Sequence, residues 1–288
     1  RRSSDLVYRA PLAGGDLERV TPEGGVHSAT FSPDGTALVD VHSALDRPPR
    51  AELFALEEDA ARSLAVLAEM DLIPYDAEAV TDELFPLKLG DGTVLWAQLT
   101  RPRALAADVR YPVIVYVYGG PGAQIVRDHF RTTFQPWRDL MARRGVLVFS
   151  VDGRGGFGRG REFEVPIHRR LGEVELADQL AAARWLTEQP FVDPERVGVF
   201  GWSYGGTMTL LALTRTEGVY AAGAAVAPVT DWREYDTAYT ERYMQRPEDN
   251  EEGYEETAVL PRAGELEVPL LLAHGLADDN VHFANTAR

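Results

Sequence analysis

With 288 residues and a formal net charge of −16 at pH 7, the chain is long enough for one large domain, or one domain plus part of another, and it lacks the basic stripe that nucleic-acid binding needs. It contains no cysteine, which excludes disulfides and thiolate-held metals, and no apolar run reaches the roughly 18 residues of a membrane span. Lys88 is the only lysine among 29 basic residues, a bias of genome composition. A cysteine-free chain fits cytoplasm and periplasm alike.

The first residues, Arg1 to Asp5, carry no signal-peptide character. Residues 1 to about 70 read as short strands: Leu6-Val7-Tyr8, Ala37 to Val41 and Ala51 to Leu56. Turn signals separate them at Ala13-Gly14-Gly15-Asp16, Pro22-Glu23-Gly24-Gly25 and Ser32-Pro33-Asp34-Gly35. Phe31-Ser32-Pro33-Asp34-Gly35 is similar to the hairpin of peptidase-type β-propeller blades. It occurs once, so a small meandering sheet fits as well. Two blades at most would fit here, whereas a closed propeller takes about four to eight.

Residues from about 71 to 84, with Pro74 and many acids, read as a linker. A hairpin follows: Leu84 to Leu89, the turn Gly90-Asp91-Gly92, and Thr93 to Thr100. From Tyr111 the pattern changes to continuous apolar runs, as in strands buried on both faces: Val113 to Val117, Val146 to Val151, Arg196 to Phe200, Ala221 to Val226 and Val268 to Ala273. Helical segments lie between them. Glu173 to Thr187 sets Leu176, Leu180 and Ala183 on one face before Pro190, and Thr207 to Thr214 is a second. Strands alternating with helices predict a doubly wound, mostly parallel sheet, with ligands at the carboxyl ends of its strands. The loops at 118–124, 152–160, 201–206, 227–232 and 274–281 are therefore expected at one edge.

Gly201-Trp202-Ser203-Tyr204-Gly205 is a G-x-S-x-G motif between a strand and an apolar helix, the setting of a nucleophile elbow in an α/β-hydrolase fold. Flanking glycines permit a turn too sharp for larger side chains, and the helix start behind Ser203 favours developing negative charge. A glycine-rich turn with an incidental serine is the plainer alternative. A nucleophilic serine needs a base, and the base an orienting acid, in the chain order serine, acid, histidine. The loop His274-Gly275-Leu276-Ala277-Asp278-Asp279-Asn280 is placed to supply the acid. Asp278 is the first choice, and spacing alone does not separate it from Asp279. The histidines are His27, His42, His129, His168, His274 and His282. Only His282 follows Asp278, at the start of what reads as a helix from Val281 to Arg288, and it reads as a local structural residue. The triad histidine is thus expected to be absent from the chain, the catalytic domain truncated before it, and the chain alone inactive. The oxyanion hole is expected from the Tyr204 amide and a donor in Tyr118-Gly119-Gly120-Pro121-Gly122, either a backbone amide or the Tyr118 hydroxyl. A merely half-buried Tyr118 fits the pattern equally.

Several stretches together carry a family resemblance: Tyr116 to Gly122, Asp152-Gly153-Arg154-Gly155, Arg169-Arg170-Leu171-Gly172, Gly201 to Gly206, Ala227-Pro228-Val229, Tyr239-Thr240-Glu241-Arg242-Tyr243-Met244, and His274-Gly275 through Asp278-Asp279-Asn280-Val281-His282. They cover most of residues 111–288. The chain resembles the prolyl oligopeptidase family of serine peptidases, in particular its dipeptidyl peptidase IV-like branch. The resemblance implies an α/β-hydrolase domain (residues 76–288) preceded by the C-terminal part of a β-propeller with its linker (residues 1–75). It implies Ser203 as nucleophile, Asp278 as triad acid, and Tyr118 completing the oxyanion hole with Tyr204. It further implies that Val229, Trp232, Tyr235, Tyr239 and Val281 hold a proline ring, and that Asn280 binds a substrate carbonyl. Aromatic walls suit proline, which is apolar and carries no N–H. The i, i+3, i+7 spacing of Trp232, Tyr235 and Tyr239 fits an ordinary core-facing helix equally well.

The expected activity is release of dipeptides from peptides with penultimate proline or alanine, through an acyl-enzyme and without cofactor. The rivals are an acylaminoacyl peptidase, oligopeptidase or esterase of the same fold, and an inactive binding module. The family is often dimeric, which no residue here proves. The acidic pair that grips the substrate amine in that branch would lie upstream of this chain. Gly153 to Gly158 matches G-x-G-x-x-G with Glu173 downstream, but Val165-Pro166 interrupts the helix a dinucleotide would need. His274 and His282 lack a third metal ligand at sensible spacing. Glu248 to Glu252 reads as a solvated loop.

Overall fold

The computed structural model describes residues 6–21, 24–57, 61–70, 80–130, 134–216 and 218–288. The first five residues, the Pro22-Glu23 half of one turn, and residues 71–79 of the expected linker lie outside the described residues. The chain divides into two compact units: Arg1–Glu78 with Arg127–Trp137, and Ala79–Val126 with Arg138–Arg288.

In the first unit, β1 (Tyr8–Arg9) pairs with β2 (Glu18–Arg19). Strands β3 (Val26–Phe31), β4 (Ala37–Ala44), β5 (Arg47–Leu56) and β6 (Ala61–Glu69) form an antiparallel meander in that order, the form of one propeller blade. The Ser32–Gly35 turn joins β3 to β4 through side-chain chemistry. The Asp34 carboxylate accepts from the Ser32 hydroxyl (2.6 Å), the Thr36 hydroxyl (2.9 Å) and the Thr36 amide (3.1 Å). These bonds, led by that of Ser32, hold its pKa at about 2. Val20, Leu38 and Phe54 make a small core. Asp128, from the 127–137 segment, accepts from the Gly25 amide (2.9 Å) and the Leu45 amide (3.0 Å). Strands β2, β3 and β6 are absent from the sequence reading. In β6 the apolar side chains of Leu64, Val66 and Leu67 are all exposed, so no alternation marks it.

The second unit contains β7 (Val80–Lys88), β8 (Val94–Pro102), β9 (Tyr111–Val117), β10 (Leu147–Asp152), β11 (Val192–Trp202), β12 (Ala222–Val226) and β13 (Leu270–Ala273). They form one sheet in the order β13-β12-β11-β9-β10-β8-β7. The five strands from β13 to β10 are parallel, and β8 and β7 run antiparallel at the end. The helices are α1 (Gln135–Arg143), α2 (Arg161–Glu164), α3 (Val174–Thr187), α4 (Tyr204–Arg215), α5 (Thr237–Met244), α6 (Glu251–Thr257) and α7 (Ala284–Ala287). All six residues of β10 are buried, as a strand covered on both faces requires. In α4 every residue from Tyr204 to Thr214 is buried, which marks it as the central helix of the packed layer.

Among the boundaries that differ from the sequence reading are the following three. Strand β7 begins at Val80, so residues 80–84 are sheet and not linker. Their acids misled because each has a partner in β8: Asp82 accepts from Thr100 (2.5 Å) and Gln98 (3.1 Å), and Glu83 pairs with Arg101. The acidic run Glu248 to Glu252 is not a loop. It forms a 3-10 turn and the start of α6, where acids suit a helix N-terminus. The last helix is only Ala284–Ala287, and His282 precedes it on an exposed turn.

Candidate active site

Strand β11 ends at Trp202 and α4 begins at Tyr204, leaving Ser203 alone to make the turn. Its backbone sits at φ 55, ψ −120, a conformation that costs a non-glycine residue on the order of 1–3 kcal/mol. A Cβ on Gly201 would lie 2.1 Å from the Gly205 carbonyl oxygen, and one on Gly205 would lie 2.2 Å from that of Val117. Only hydrogen fits at either place. The Ser203 amide donates to the Val226 carbonyl (2.8 Å), tying the turn to β12, and the residue is half-buried. The Tyr204 amide is the first of α4 and so has no partner within its helix.

The strand registers carry the remaining loops to the same edge. Gly201 pairs with Val117, Trp202 with Val226, and Val226 with Ala273. Tyr118, Ser203, Ala227 and His274 therefore each stand one residue past aligned strand ends. With strands about 4.8 Å apart, the five loops expected at one edge lie there.

In the loop after β13, Oδ1 of Asp278 accepts from the Asn280 and Val281 amides, each at 3.0 Å. The Val281 amide, then that of Asn280, pulls the Asp278 carboxyl below the usual carboxylate range, so it is ionised at neutral pH. Its other oxygen, Oδ2, lies 3.5 Å from Nε2 of His274. His274 is locked: its side chain is fully buried, its Nδ1 is 2.7 Å from the Thr286 hydroxyl, and its Nε2 is 2.7 Å from the Val281 carbonyl. Both ring nitrogens are engaged in bracing the loop. Asp279 and His282 are exposed.

The aromatic residues do not form one helix face, contrary to the simplest reading of their spacing. Trp232 begins a 3-10 turn, Tyr235 follows that turn, and Tyr239 is on α5. They nevertheless touch. Trp232 and Tyr239 stack at 6.3 Å, Tyr235 meets Trp232 edge-on at 6.2 Å and Tyr239 at 5.3 Å, and Tyr243 extends the row at 5.1 Å from Tyr239. Trp232 also packs 5.2 Å from Tyr204, which lies 6.2 Å from the half-buried Tyr118. The Tyr235 hydroxyl donates to Oδ1 of Asn280 (2.9 Å), joining the aromatic group to the acid-bearing loop. Val229 is buried, its amide 3.0 Å from the Thr207 hydroxyl, and Val281 is buried in the main core. Burial, and secondarily Tyr235, pushes the Tyr118 hydroxyl above its ordinary value, so it stays a protonated donor.

Three residues near this edge have no role assigned to them from the sequence. Glu175, 1% exposed, accepts from the Tyr204 hydroxyl (2.7 Å). Tyr243 extends the aromatic row. Asn285 joins the acid-bearing segment to the 227–232 loop: its Oδ1 accepts from the Thr230 amide (2.9 Å), and its carbonyl accepts from the Thr230 hydroxyl (2.8 Å). None lies in a catalytic motif, and their positions follow only from the tertiary packing.

The glycines from Gly153 to Gly158 belong to a loop fixed by protein and not arranged as a dinucleotide cradle. Arg154 donates from its amide (2.7 Å) and guanidinium (2.5 Å) to the buried carboxylate of Asp178. The helix that follows, α2, has four residues and starts at Arg161. Among the described residues, no group of three or more His, Asp or Glu is arranged to hold a metal.

The sheet order and the one-residue serine elbow define an α/β-hydrolase fold, here preceded by propeller structure. The chain belongs to the prolyl oligopeptidase family, whose sequence profile matches residues 129–288. Over 286 residues it is 37% identical to the probable dipeptidyl-aminopeptidase B of Emericella nidulans, covering 97% of this chain and 31% of that protein. Over 285 residues it is 33% identical to dipeptidyl peptidase 8 of Mus musculus, covering 95% and 32%. The solved dipeptidyl peptidase 4 of Porphyromonas gingivalis superposes with a TM-score of 0.89 at 34% identity, over 98% of this chain and 40% of that one. The chain thus spans about a third of the length of these curated relatives.

Proposed function

We propose that this chain carries the nucleophile, triad acid, oxyanion hole and proline pocket of a serine peptidase that releases N-terminal dipeptides from peptides with penultimate proline or alanine. The observation that supports it most is the aligned set of strand ends, with a strained serine beside a hydroxyl donor, an ionised carboxylate and a cluster of aromatic rings. The names of the similar proteins point the same way.

In this reading a histidine takes the Ser203 proton as Oγ attacks the carbonyl of the proline-like residue. The bond to Oγ forms, and the carbonyl π electrons move onto oxygen. That oxyanion receives hydrogen bonds from the Tyr118 hydroxyl and the Tyr204 amide. The imidazolium, oriented by Asp278, returns the proton to the leaving amine as the C–N bond breaks. Water, deprotonated by the same histidine, then adds to the ester carbonyl, the C–Oγ bond breaks, and the imidazolium returns the proton to Oγ, freeing the dipeptide. His274 is committed to its loop and His282 is exposed, so neither is assigned as the base. Trp232, Tyr235, Tyr239, Val229 and Val281 hold the proline ring, and Asn280 receives a substrate carbonyl.

The test compares hydrolysis of a chromogenic Gly-Pro amide by the full-length protein with that of the same compound blocked at its amine. Cleavage of the free amine alone, abolished by Ser203→Ala, is expected. Equal or better cleavage of the blocked compound would move the protein to the oligopeptidases or acyl peptidases.

A further inference from the structure

Tyr204 is held at both ends. Its backbone is the first residue of α4, next to Ser203, and its hydroxyl donates to Oε1 of Glu175 (2.7 Å). Oε2 of Glu175 accepts from the Gly172 amide (3.0 Å). Between these ends the ring packs on Trp232 and Tyr118. Gly120 leaves the ring its space: a Cβ there would come within 3.1 Å of Tyr204 Cγ and 2.7 Å of Tyr118 Cε1.

The anchor for Glu175 is itself tied to the aromatic row. Gly172 closes the segment Arg169-Arg170-Leu171-Gly172, which the reaction above does not use. In that segment the Arg169 amide donates to the Tyr243 carbonyl (2.7 Å), the Arg169 carbonyl accepts from the Asn250 side chain (2.8 Å), and the Leu171 amide points at the Met244 sulfur (3.3 Å). A rigid path thus runs from α5, which bears Tyr239, through Gly172 and Glu175 to Tyr204.

Burying a carboxyl is unfavourable. A phenylalanine facing an apolar side chain would fill the same space without that penalty. What the Tyr204–Glu175 pair adds is a fixed length and direction, which apolar packing does not impose. Oxyanion donors need that accuracy, since they act only about 2.7–3.1 Å from the developing charge, and a misplacement of about 1 Å lowers rates about 100-fold.

We propose that Glu175 is a positioning residue of the oxyanion hole. By holding the Tyr204 hydroxyl it sets the Tyr204 amide, and the ring against which Tyr118 packs, at the distance the tetrahedral intermediate requires. This rests on Ser203 being the acylated residue.

The test uses Tyr204→Phe, Glu175→Leu and their combination in the full-length protein. In Glu175→Leu no oxygen remains to accept from the Tyr204 hydroxyl or the Gly172 amide, so both bonds are lost. Active sites are titrated with a fluorophosphonate, whose adduct places an oxygen in the oxyanion hole. Each single variant is expected to lower kcat per titrated site by roughly 10- to 100-fold while KM stays within about twofold. Labelling should slow in parallel, and the double variant should lose no more than the worse single one. Should Glu175→Leu fail to fold, Tyr204→Phe alone decides. If kcat per site and labelling rate are unchanged while the melting temperature falls, Glu175 is only structural and the proposal is wrong. Losses that multiply in the double variant also overturn it. Absence of Ser203 labelling in the wild type would instead defeat the peptidase reading itself.

Discussion

Glu175 also gives the second unit a pH-dependent stability that one substitution removes. Its carboxyl faces Tyr204 on α4 and the Gly172 amide, with Asp178 further along its own helix and Tyr239 on α5 within electrostatic reach. Burial is the largest influence and raises its pKa from 4.5 to about 7; the Tyr204 and Gly172 hydrogen bonds pull it only partway back, and Asp178 adds to the rise. Between these two values the folded chain keeps a proton that the unfolded chain has released. Stability is therefore fully present below about pH 4.5, declines as pH rises to about 7, and is flat beyond. At 1.36 kcal/mol per pH unit, the loss amounts to about 3 kcal/mol. Glu175→Gln is neutral at every pH and should lack this loss. The assay is reversible urea unfolding of wild type and variant at about pH 5 and pH 8, followed by tryptophan fluorescence, since Trp232 packs on Tyr204. The variant should gain about 2.5 kcal/mol relative to wild type between the two conditions, since part of the loss has already occurred by pH 5. Any pH-independent loss from the altered Gly172 bond cancels in that difference. Parallel profiles for the two proteins would refute the assignment of a raised pKa to this carboxyl.

Ser203→Ala should reduce turnover of the Gly-Pro amide on the order of 10⁶-fold with an unchanged melting curve. Tyr118→Phe removes one proposed oxyanion donor and should lower kcat by about 10²–10³-fold with little change in KM, as steady-state kinetics would reveal. Gly205→Ala places a methyl group 2.2 Å from the Val117 carbonyl oxygen, where backbone meets backbone and neither can yield. It should prevent soluble folding, as judged by circular dichroism of the purified protein. Tyr235→Phe leaves the Asn280 carboxamide without its 2.9 Å donor and should raise KM more than it lowers kcat.

The parallel half of the sheet was legible because its strands are apolar on both faces and separated by amphipathic or apolar helices. Ser203 was legible because two glycines are compulsory at its turn, and that requirement is written in the sequence. The blade strands were harder. Exposed Leu64, Val66 and Leu67 in β6 break the alternation that marks a half-buried strand. Asp82 and Glu83 misled for another reason: partnered in the sheet by Thr100, Gln98 and Arg101, they look in the sequence like solvated linker acids. Glu175 could not be singled out at all. On α3 it lies near the exposed Glu173 and the ion-paired Asp178, and only the approach of Tyr204 from another helix distinguishes it.

Tyr204 makes specificity and chemistry hard to separate in this site. Its amide is the proposed oxyanion donor, while its ring is packed on Trp232, a wall of the proposed proline pocket, and on Tyr118, the second proposed donor. In the proposed reading a proline ring that fills the pocket would press on Trp232, whose ring packs 5.2 Å from that of Tyr204. Tyr204 in turn is stopped by Glu175 and Gly120. A loosely fitting side chain leaves this chain of contacts slack, so the penalty for a poor substrate falls partly on kcat. Replacing proline by alanine in the substrate should therefore lower kcat as well as raise KM. Replacing Tyr204 by phenylalanine should weaken that dependence, because the ring is then free to move away from the oxyanion whatever occupies the pocket. Equal proline-to-alanine ratios of kcat in the two enzymes would show that pocket and oxyanion hole act independently.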